Sequence, residues 1–200
     1  MAEVEGKKMV FQLMGILILA AFYGCYFAKM LRQRQKGIQT DQIGKGKSGT
    51  AQGIEVTMKI ATILAPVAEV ISIDIGTTIL PPWGRIGGAV AAVWGVTVFI
   101  ASVLTMRDSW RAGVSEQEQT ELVTGGIYQI SRNPAFLGFD LVYIGILLMF
   151  FNPALLAASV FAILMLHLQI VKVEEPFLVS AFGAPYREYR LQVNRYLGRK

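Results

Sequence analysis

The chain has 200 residues, of which 54% are hydrophobic and 16% charged, and its mean hydropathy is +0.48. A soluble domain usually carries about 25% charged residues, so this composition argues for a protein surrounded by lipid. The net charge of +5 comes from basic residues beside apolar segments, which is typical of membrane orientation and argues against a nucleic-acid partner. The single cysteine, Cys25, excludes a disulfide within the chain.

We expect an all-α integral membrane fold, because five segments are apolar enough to cross a bilayer as helices of about 20 residues. They are Met9–Leu31, Met58–Leu80, Ile86–Met106, Leu137–Phe151 and Ala154–Val171. Only Asn152-Pro153 separates the last two, and Asn-Pro is a turn signal, so these two spans are predicted to form an antiparallel hairpin. The fourth segment is short for a bilayer and is expected to tilt little or to begin earlier. One membrane domain is expected over 1–200, with the first three spans within 1–106.

The lysines and arginines predict which ends of the spans face the cytoplasm. With five spans and an external N-terminus, sixteen of the 19 basic residues lie in internal segments, and only Lys7, Lys8 and Arg85 lie outside. Such an excess of positive charge inside places the C-terminus in the cytoplasm. The sequence therefore predicts a multi-pass membrane protein with a cytoplasmic C-terminal tail.

Two segments outside the spans have distinct compositions. Segment Gln39–Gln52 is rich in Gly, Ser, Thr and Lys and is predicted to be a flexible loop without a packed core. Beyond Val171, apolar residues recur at helical spacing on both sides of Gly183-Ala184-Pro185, as far as Tyr196. We expect this tail to form a helix–turn–helix against the cytoplasmic face.

Two polar clusters flank the predicted hairpin. The first runs from Glu121 to Gly138 and leads into the fourth span, and the second is Glu174-Glu175-Pro176-Phe177, which follows the fifth. Because the two spans form a tight hairpin, both clusters are expected on the same cytoplasmic side. Residues that are distant in sequence are thereby predicted to be neighbours in space.

The side chains of these clusters suit an amphipathic, charged ligand. Arg132 offers a planar guanidinium for a carboxylate or phosphate, and Glu174 and Glu175 offer acceptors for an ammonium group or ribose hydroxyls. Tyr128 and Phe136 offer aromatic faces for a purine or a cation. The glycines allow the backbone to approach a ligand closely, and they are Gly125, Gly126 and Gly138.

A purely structural interpretation of the same residues stays open. Arg132 would then mark the membrane boundary, Glu174 and Glu175 would form a solvated helix end, and Asn133-Pro134 would start a helix. Composition alone does not decide between the two interpretations.

The order and spacing of these motifs resemble a known family. Arg132-Asn133-Pro134-Ala135-Phe136-Leu137-Gly138, followed by Glu174-Glu175, resembles the split signature Arg-His-Pro-x-Tyr-x-Gly … Glu-Glu of the isoprenylcysteine carboxyl methyltransferase and phospholipid methyltransferase superfamily. The segments Leu122–Tyr128 and Phe182–Tyr196 are also similar to that family's approach to the motif and to its tail. The resemblance covers about residues 118–198, whereas the first three spans match only in being hydrophobic.

This resemblance implies an integral membrane methyltransferase that uses S-adenosylmethionine, held in a cytoplasm-facing pocket within 107–200. It implies anion-anchoring, catalytic roles for Arg132 and Arg195. It implies cofactor binding by Tyr128, Arg132, Asn133, Pro134, Phe136, Gly138, Glu174 and Glu175. The implied partner is a lipophilic acceptor arriving from the membrane lipids, such as an isoprenylcysteine carboxylate, a lipid amine, or a small hydrophobic thiol or alcohol. Neither the acceptor nor the oligomeric state follows from the sequence.

Two departures from the signature keep alternatives open. Asn133 stands where the family usually has His, and it cannot titrate. Phe136 stands where the family usually has Tyr, and it lacks the hydroxyl. A membrane reductase of related architecture that uses NADPH is one alternative, and a non-catalytic membrane protein or transporter that kept the fold is another.

Four further polar residues lie within or near the spans. His167 and Glu174 offer two metal ligands at most, so no metal site is predicted, and a hydrogen bond at a helix interface is the simpler role for His167. A carboxylate inside a membrane costs about 2.5–3.5 kcal/mol, so Asp140 is expected to face a pocket or a partner. Glu69 and Asp74 in the second span could line a proton or ion path.

Overall fold

Seven α-helices make up most of the computed structural model, which describes residues 2–44, 48–113 and 121–200, without the side chains of residues 2–4. They are α1 Ala2–Gln35, α2 Gly49–Ile75, α3 Pro82–Met106, α4 Pro134–Met149, α5 Pro153–Gln169, α6 Glu175–Phe182 and α7 Ala184–Gln192. Short 3-10 turns cover Arg107–Ser109 and Gly126–Gln129, and a π-helical turn covers Ile170–Glu174. Within the described ranges the only extended pairing consists of isolated bridges, so the predicted all-α class is confirmed.

Four helical stretches are long and apolar enough to cross a membrane: Glu5–Gln35, Gly49–Ile75, Pro82–Ser109 and Pro153–Phe182. Their outward faces carry exposed aliphatic side chains, for example Leu17, Ile71 and Leu104, as expected for contact with lipid. The fourth predicted span corresponds to α4, whose 16 residues rise about 24 Å at 1.5 Å per residue, less than the roughly 30 Å hydrocarbon core. It begins at Pro134, three residues before the predicted start.

The second span differs from its prediction at both ends. It begins at Gly49 and ends at Ile75, because Gly76 adopts a left-handed conformation with φ of 67° and its N–H bonds to the carbonyl of Ser72. This C-cap ends the helix before Leu80. The predicted loop Gln39–Gln52 is therefore partly helical.

The rest of that loop is packed, and the prediction of a flexible segment is wrong for residues 39–44. Gln42 N–H donates to the carbonyl of Ala112, and Ala112 N–H donates to that of Thr40, at 2.8 and 3.0 Å. The side chains of Thr40 and Gln42 are buried. Backbone pairing with the segment after α3 therefore fixes this part of the loop, while 45–47 lie outside the described residues.

The last two spans form the predicted hairpin, and its turn follows from the Asn-Pro pair. The Asn152 side-chain oxygen caps α5 by accepting from Leu155 N–H at 2.9 Å, and Pro153 occupies the first turn, where its missing N–H costs nothing. The hairpin is splayed, since α4 packs chiefly on α3 and α5 chiefly on α2.

Small residues allow α3 and α4 to approach closely. A methyl group placed on Gly145 would lie 2.6 Å from the backbone nitrogen of Ala92, and one on Gly95 would lie 2.8 Å from the carbonyl of Gly138. Close backbone contact of this kind is the usual basis of helix association in membranes. It fixes the start of α4, where the first polar cluster lies.

The tail forms the predicted pair of helices, but the second one is shorter than the periodicity suggested. Helix α7 ends at Gln192, and Val193 is extended. The residues that follow fold back, because Gly198 N–H donates to the carbonyl of Ile130 and Asn194 N–H donates to that of Gly198. This return brings residues 193–198 against the loop before α4.

Candidate functional site

A buried ion cluster joins the two polar segments. Arg132 Nη1 lies 3.0 Å from Glu175 Oε1, and the side chains of both residues are 7% exposed. Arg195 makes a two-pronged contact, with Nε 2.9 Å from Oε1 and Nη2 3.0 Å from Oε2 of the same carboxylate. Arg190 approaches Oε2 to 4.0 Å. The predicted meeting of the two clusters is confirmed, and three guanidinium groups surround one carboxylate.

The same arginine ties the tail to the start of α4. Arg132 Nε donates to the carbonyl of Val193 at 3.0 Å, and its Nη1 donates to the Tyr186 hydroxyl at 3.2 Å. Asn133, which is almost fully buried, donates through Nδ2 to the carbonyl of Arg195 at 3.1 Å. Arg132 and Asn133 are therefore held in fixed orientations by backbone carbonyls of the tail.

Two tyrosines link the tail to α3 and to the loop before α4. Tyr189 Oη donates to the carbonyl of Tyr128 at 2.6 Å, and Tyr128 Oη lies 2.9 Å from Ser102 Oγ. Burial raises the pKa of both Tyr128 and Tyr189 above the ordinary value. The hydrogen bond to Glu175 raises the pKa of Arg195. The phenols thus stay neutral and the guanidinium stays charged over the physiological range.

Glu174 and Glu175 point in different directions although they are adjacent. Successive residues of a helix project about 100° apart, and these two lie where the π-helical turn Ile170–Glu174 meets α6. Glu175 contacts the arginines, whereas Glu174 lines the cavities. Single π-helical turns often occur at functional sites.

A small cavity of about 140 Å³ lies between the end of α3, the start of α4 and the tail. It is lined by five of the residues that the sequence predicted for the site: Tyr128, Arg132, Asn133, Phe136 and Glu174. Leu178 and Phe182 of α6 and Tyr186 and Tyr189 of α7 close it from the tail side. Charged, amide and aromatic groups therefore face one cavity.

A larger cavity of about 530 Å³ lies among α1, α2 and the hairpin. Most of its wall is apolar, with Phe27, Met30, Ile63, Val67 and Phe139 among the lining residues. The two cavities adjoin, and the residues that line both are Trp110, Arg111, Gly113, Ala135, Phe136 and Glu174. Polar and apolar compartments thus meet at Phe136 and Glu174.

Four predicted site residues line neither cavity. Pro134 is buried at the first turn of α4, where its fixed φ suits a helix start. Gly138 faces α3, since a methyl group on it would lie 2.8 Å from Phe99 Cβ, so its close approach is to a helix and not to a ligand. Glu175 and Arg195 lie in the ion cluster behind the small cavity. Glu175 and Arg195 therefore hold two of the lining residues, Arg132 and Asn133, in position.

The structure adds lining residues that the sequence did not single out. Trp110 and Arg111 follow α3 and line both cavities, and Asp41 of the α1–α2 loop lines the larger one. An aromatic–basic pair directly after a span was the available signal for Trp110 and Arg111. No signal marked Asp41, because its place depends on the pairing between distant loops.

His167 makes a hydrogen bond, as expected, but its partner is a residue of the tail and not of a neighbouring helix. Its Nδ1 lies 2.7 Å from the Tyr196 hydroxyl, and the two rings stack with centroids 6.0 Å apart. Within the described ranges, no group of three or more His, Cys, Asp or Glu side chains is placed to hold a metal ion.

These features define a class of protein: membrane-crossing helices that carry a buried, arginine-rich polar site beside an apolar cavity. The phospholipid methyltransferase family matches residues 83–185, which is about half of the chain. The chain belongs to this family. The matched range includes α3 from Trp83 onward, the hairpin, and two residues of the ion cluster, Arg132 and Glu175.

Three relatives with curated names are similar to parts of the chain. Protein-S-isoprenylcysteine O-methyltransferase of Saccharomyces cerevisiae is 38% identical over 72 residues, which is 36% of this chain and 30% of the relative. Protein-S-isoprenylcysteine O-methyltransferases A and B of Arabidopsis thaliana are 28% identical over 109 residues and 32% identical over 80 residues. These matches cover 54% and 40% of this chain, and 55% and 41% of the two relatives. The chain thus spans roughly half, or less, of the length of the curated relatives.

Proposed function

We propose that this protein is an integral membrane methyltransferase that transfers a methyl group from S-adenosylmethionine to a lipophilic acceptor. The observation that carries the proposal is the junction of the two cavities at Phe136 and Glu174. One compartment has the charged groups that an amino-acid-bearing cofactor needs, and the other has the apolar walls that a lipid tail needs. Family membership and the names of the relatives support the same reaction class.

The residues of the small cavity fit the proposed cofactor. Three guanidinium groups against the single Glu175 carboxylate leave an excess of positive charge at one wall, which favours a carboxylate ligand at Arg132. Glu174 offers a carboxylate to an ammonium group or to a positively charged sulfur. Trp110, Phe136 and Tyr128 offer aromatic faces to a purine ring.

The volume of this cavity implies movement on binding. Pockets for ligands of this size are typically about 300–1,000 Å³, whereas the small cavity measures about 140 Å³. We infer that α6 and α7 shift outward when the cofactor binds, because Leu178, Phe182 and Tyr186 form the outer wall.

For methyl transfer, the chain has to align the donor and the acceptor more than it has to provide acid–base catalysis. S-adenosylmethionine, when bound, supplies a methyl group already activated by a positively charged sulfur. Phe136 and Trp110 exclude water from the junction, and the wall of the larger cavity orients the acceptor toward it. Asn133 suits this role despite being unable to titrate, since it acts as a hydrogen-bond donor to the tail. An isoprenylcysteine carboxylate is the acceptor class that the names of the relatives favour.

The basic end of the molecule also fits a cytoplasmic site. The ends of α1, α3 and α5, the starts of α2 and α4, and the tail all lie at the end of the bundle that holds the small cavity. Lysines and arginines concentrate at this end, which favours its retention in the cytoplasm.

Calorimetry on the purified protein in detergent tests this proposal. S-adenosylmethionine and its demethylated product, S-adenosylhomocysteine, are expected to bind with one site per chain, and NADPH is not. A transfer assay with N-acetyl-S-farnesylcysteine and methyl-labelled donor then tests the acceptor class. Binding of NADPH without binding of either adenosyl compound would replace the proposal by a reductase.

A further inference from the structure

A group of polar side chains within the bilayer region lacks hydrogen-bond partners outside the group among the described residues. Glu69 on α2 is 0% exposed, and neither of its carboxylate oxygens has a partner. The hydroxyl of Tyr143 on α4, which is also 0% exposed, interacts with the hydroxyl of Tyr23 on α1. Neither hydroxyl has a further partner in the described part of the chain.

These three groups are neighbours contributed by three helices. Glu69 and Tyr143 both act electrostatically on Tyr23, and Glu69 acts likewise on Tyr143. We call this set, Tyr23, Glu69 and Tyr143, the inner polar cluster. Ser159 on α5 is a further buried hydroxyl without a partner in the described part of the chain.

Unpartnered buried polar groups need an explanation. Each costs about 1–3 kcal/mol, so folded proteins retain few of them. A bilayer core provides no bulk water to satisfy such groups. Several together on different helices point to a ligand group that completes their hydrogen bonds.

One member of the inner polar cluster, Tyr23, lines the larger cavity at the end remote from Glu174, and Glu69 and Tyr143 lie behind it. On α1 the lining residues run from Met30 to Tyr23, and on α2 they run from Met58 to Val67, both leading away from Glu174. Tyr23 belongs to both the cavity wall and the cluster. The wall between the two ends is mostly apolar, so the cavity has a polar junction, an apolar middle and the Tyr23 hydroxyl at its inner end.

We propose that the inner polar cluster binds an uncharged hydrogen-bonding group, a hydroxyl or a carbonyl, on the part of the lipophilic acceptor remote from the methylated atom. The inference rests on the proposed function, because it assigns the larger cavity to the acceptor. Tyrosine hydroxyls and a carboxyl group together supply both donors and acceptors to such a group. Acceptors with a plain hydrocarbon end, prenyl chains included, leave the cluster unsatisfied and are expected to bind less tightly than acceptors of the same length that carry such a group.

The depth of the cavity sets the length of the probes. From Lys59 to Glu69 the α2 axis rises about 15 Å at 1.5 Å per residue, which is roughly the length of a twelve-carbon chain. Alkane-1-thiols of about 8 to 16 carbons, each paired with the thiol that carries a hydroxyl at its far end, therefore bracket the distance.

The experiment measures binding of each probe pair by calorimetry to detergent-purified protein saturated with S-adenosylhomocysteine. The affinity ratio, hydroxyl-terminated over plain, is compared among wild type, Tyr23→Phe, Glu69→Leu and Glu69→Gln. Partition of the probes into micelles is common to all four proteins and cancels in this comparison. Thr97→Val, on the exposed face of α3, is the control for losing a hydroxyl in the membrane.

Near twelve carbons, wild type and Thr97→Val are expected to show a ratio about fivefold higher than Tyr23→Phe and Glu69→Leu, as one net hydrogen bond of about 1 kcal/mol implies. Glu69→Gln retains a donor and an acceptor and is expected to stay within about twofold of wild type. Equal ratios in all the proteins at every length would overturn the inference. If wild type does not bind S-adenosylhomocysteine, the proposed function itself is wrong, so the two failures are distinguishable.

Discussion

Arg132 at the start of α4 and Glu175 at the start of α6 form an ion pair 3.0 Å long, in which each side chain is 7% exposed. Arg195 from the end of the tail shares the same carboxylate. These three side chains therefore join three segments: the loop before α4, the start of α6, and the end of the tail. They help to determine the shape of the small cavity, because the backbone carbonyls that orient Arg132 and Asn133 belong to the tail.

Replacing Glu175 by Gln is expected to destabilise the fold strongly. Arg132 would keep its buried charge and lose its counter-ion, and breaking a buried pair in this way costs about 3–5 kcal/mol. The melting temperature of the detergent-purified variant measures the loss, with exposed Glu188→Gln on α7 as the matched control. Equal melting temperatures for the two variants would contradict a structural role for the pair.

Replacing Glu174 by Gln is expected to weaken cofactor binding. Glu174 lines both cavities, so loss of its charge removes a contact to a cationic ligand group. A hydrogen bond to a charged group contributes about 1.5–3 kcal/mol, which corresponds to roughly a 10- to 100-fold weaker affinity for S-adenosylmethionine. Calorimetry measures this affinity, and an unchanged value would remove Glu174 from the proposed site.

The sequence predicted the helical class, the hairpin and the meeting of Arg132 with Glu175, because each depends on local signals. Apolar length, the Asn-Pro turn and the antiparallel geometry that it imposes were sufficient for these. The separate roles of Glu174 and Glu175 could not be predicted, since the side on which each projects depends on the helix phase at a π-turn that no residue pattern marks.

The place of Gly138 shows a second limit. A glycine in a motif indicates a close approach but not the partner of that approach, and here the partner is α3. Likewise, the composition of 39–44 indicated a loop, but the buried pairing with Ala112 arises from a contact between distant segments. Tertiary packing decided both outcomes.

Phe136→Ala is expected to separate methyl transfer from cofactor binding. Phe136 lines both cavities, so its loss admits water to the junction and loosens the alignment of the acceptor. The rate of methyl transfer is expected to fall about 100-fold, while the affinity for S-adenosylhomocysteine changes only a few-fold. Phe136→Tyr, which keeps the ring, is the control, and an equal rate for Ala and Tyr variants would argue against this role.

Stability is expected to fall above about pH 10. The pKa values of Tyr128, Tyr186 and Tyr189 are raised by burial, so these phenols stay neutral in the folded protein while they ionise near pH 10 when unfolded. Their contribution is complete below that pH and is lost as the pH rises from about 10 through the folded-state values. Melting temperatures from pH 7 to 11 test this. Tyr189→Phe should melt lower at pH 7, having lost a hydrogen bond, and decline less steeply above pH 10.

Adding a methyl group to Gly138 is expected to destabilise the bundle through α3. The new carbon would lie 2.8 Å from Phe99 Cβ and 2.9 Å from the carbonyl of Gly95, so the two helices must separate. Overpacking of this kind costs about 1–3 kcal/mol. Gly24→Ala on α1 is the matched control, because a methyl group there meets nothing within 4 Å and alanine favours a helix more than glycine does. The melting temperature of Gly138→Ala should therefore fall while that of Gly24→Ala stays level or rises. A similar response of both variants would show that α3 and α4 have room to part, and that Gly138 is not required by helix packing.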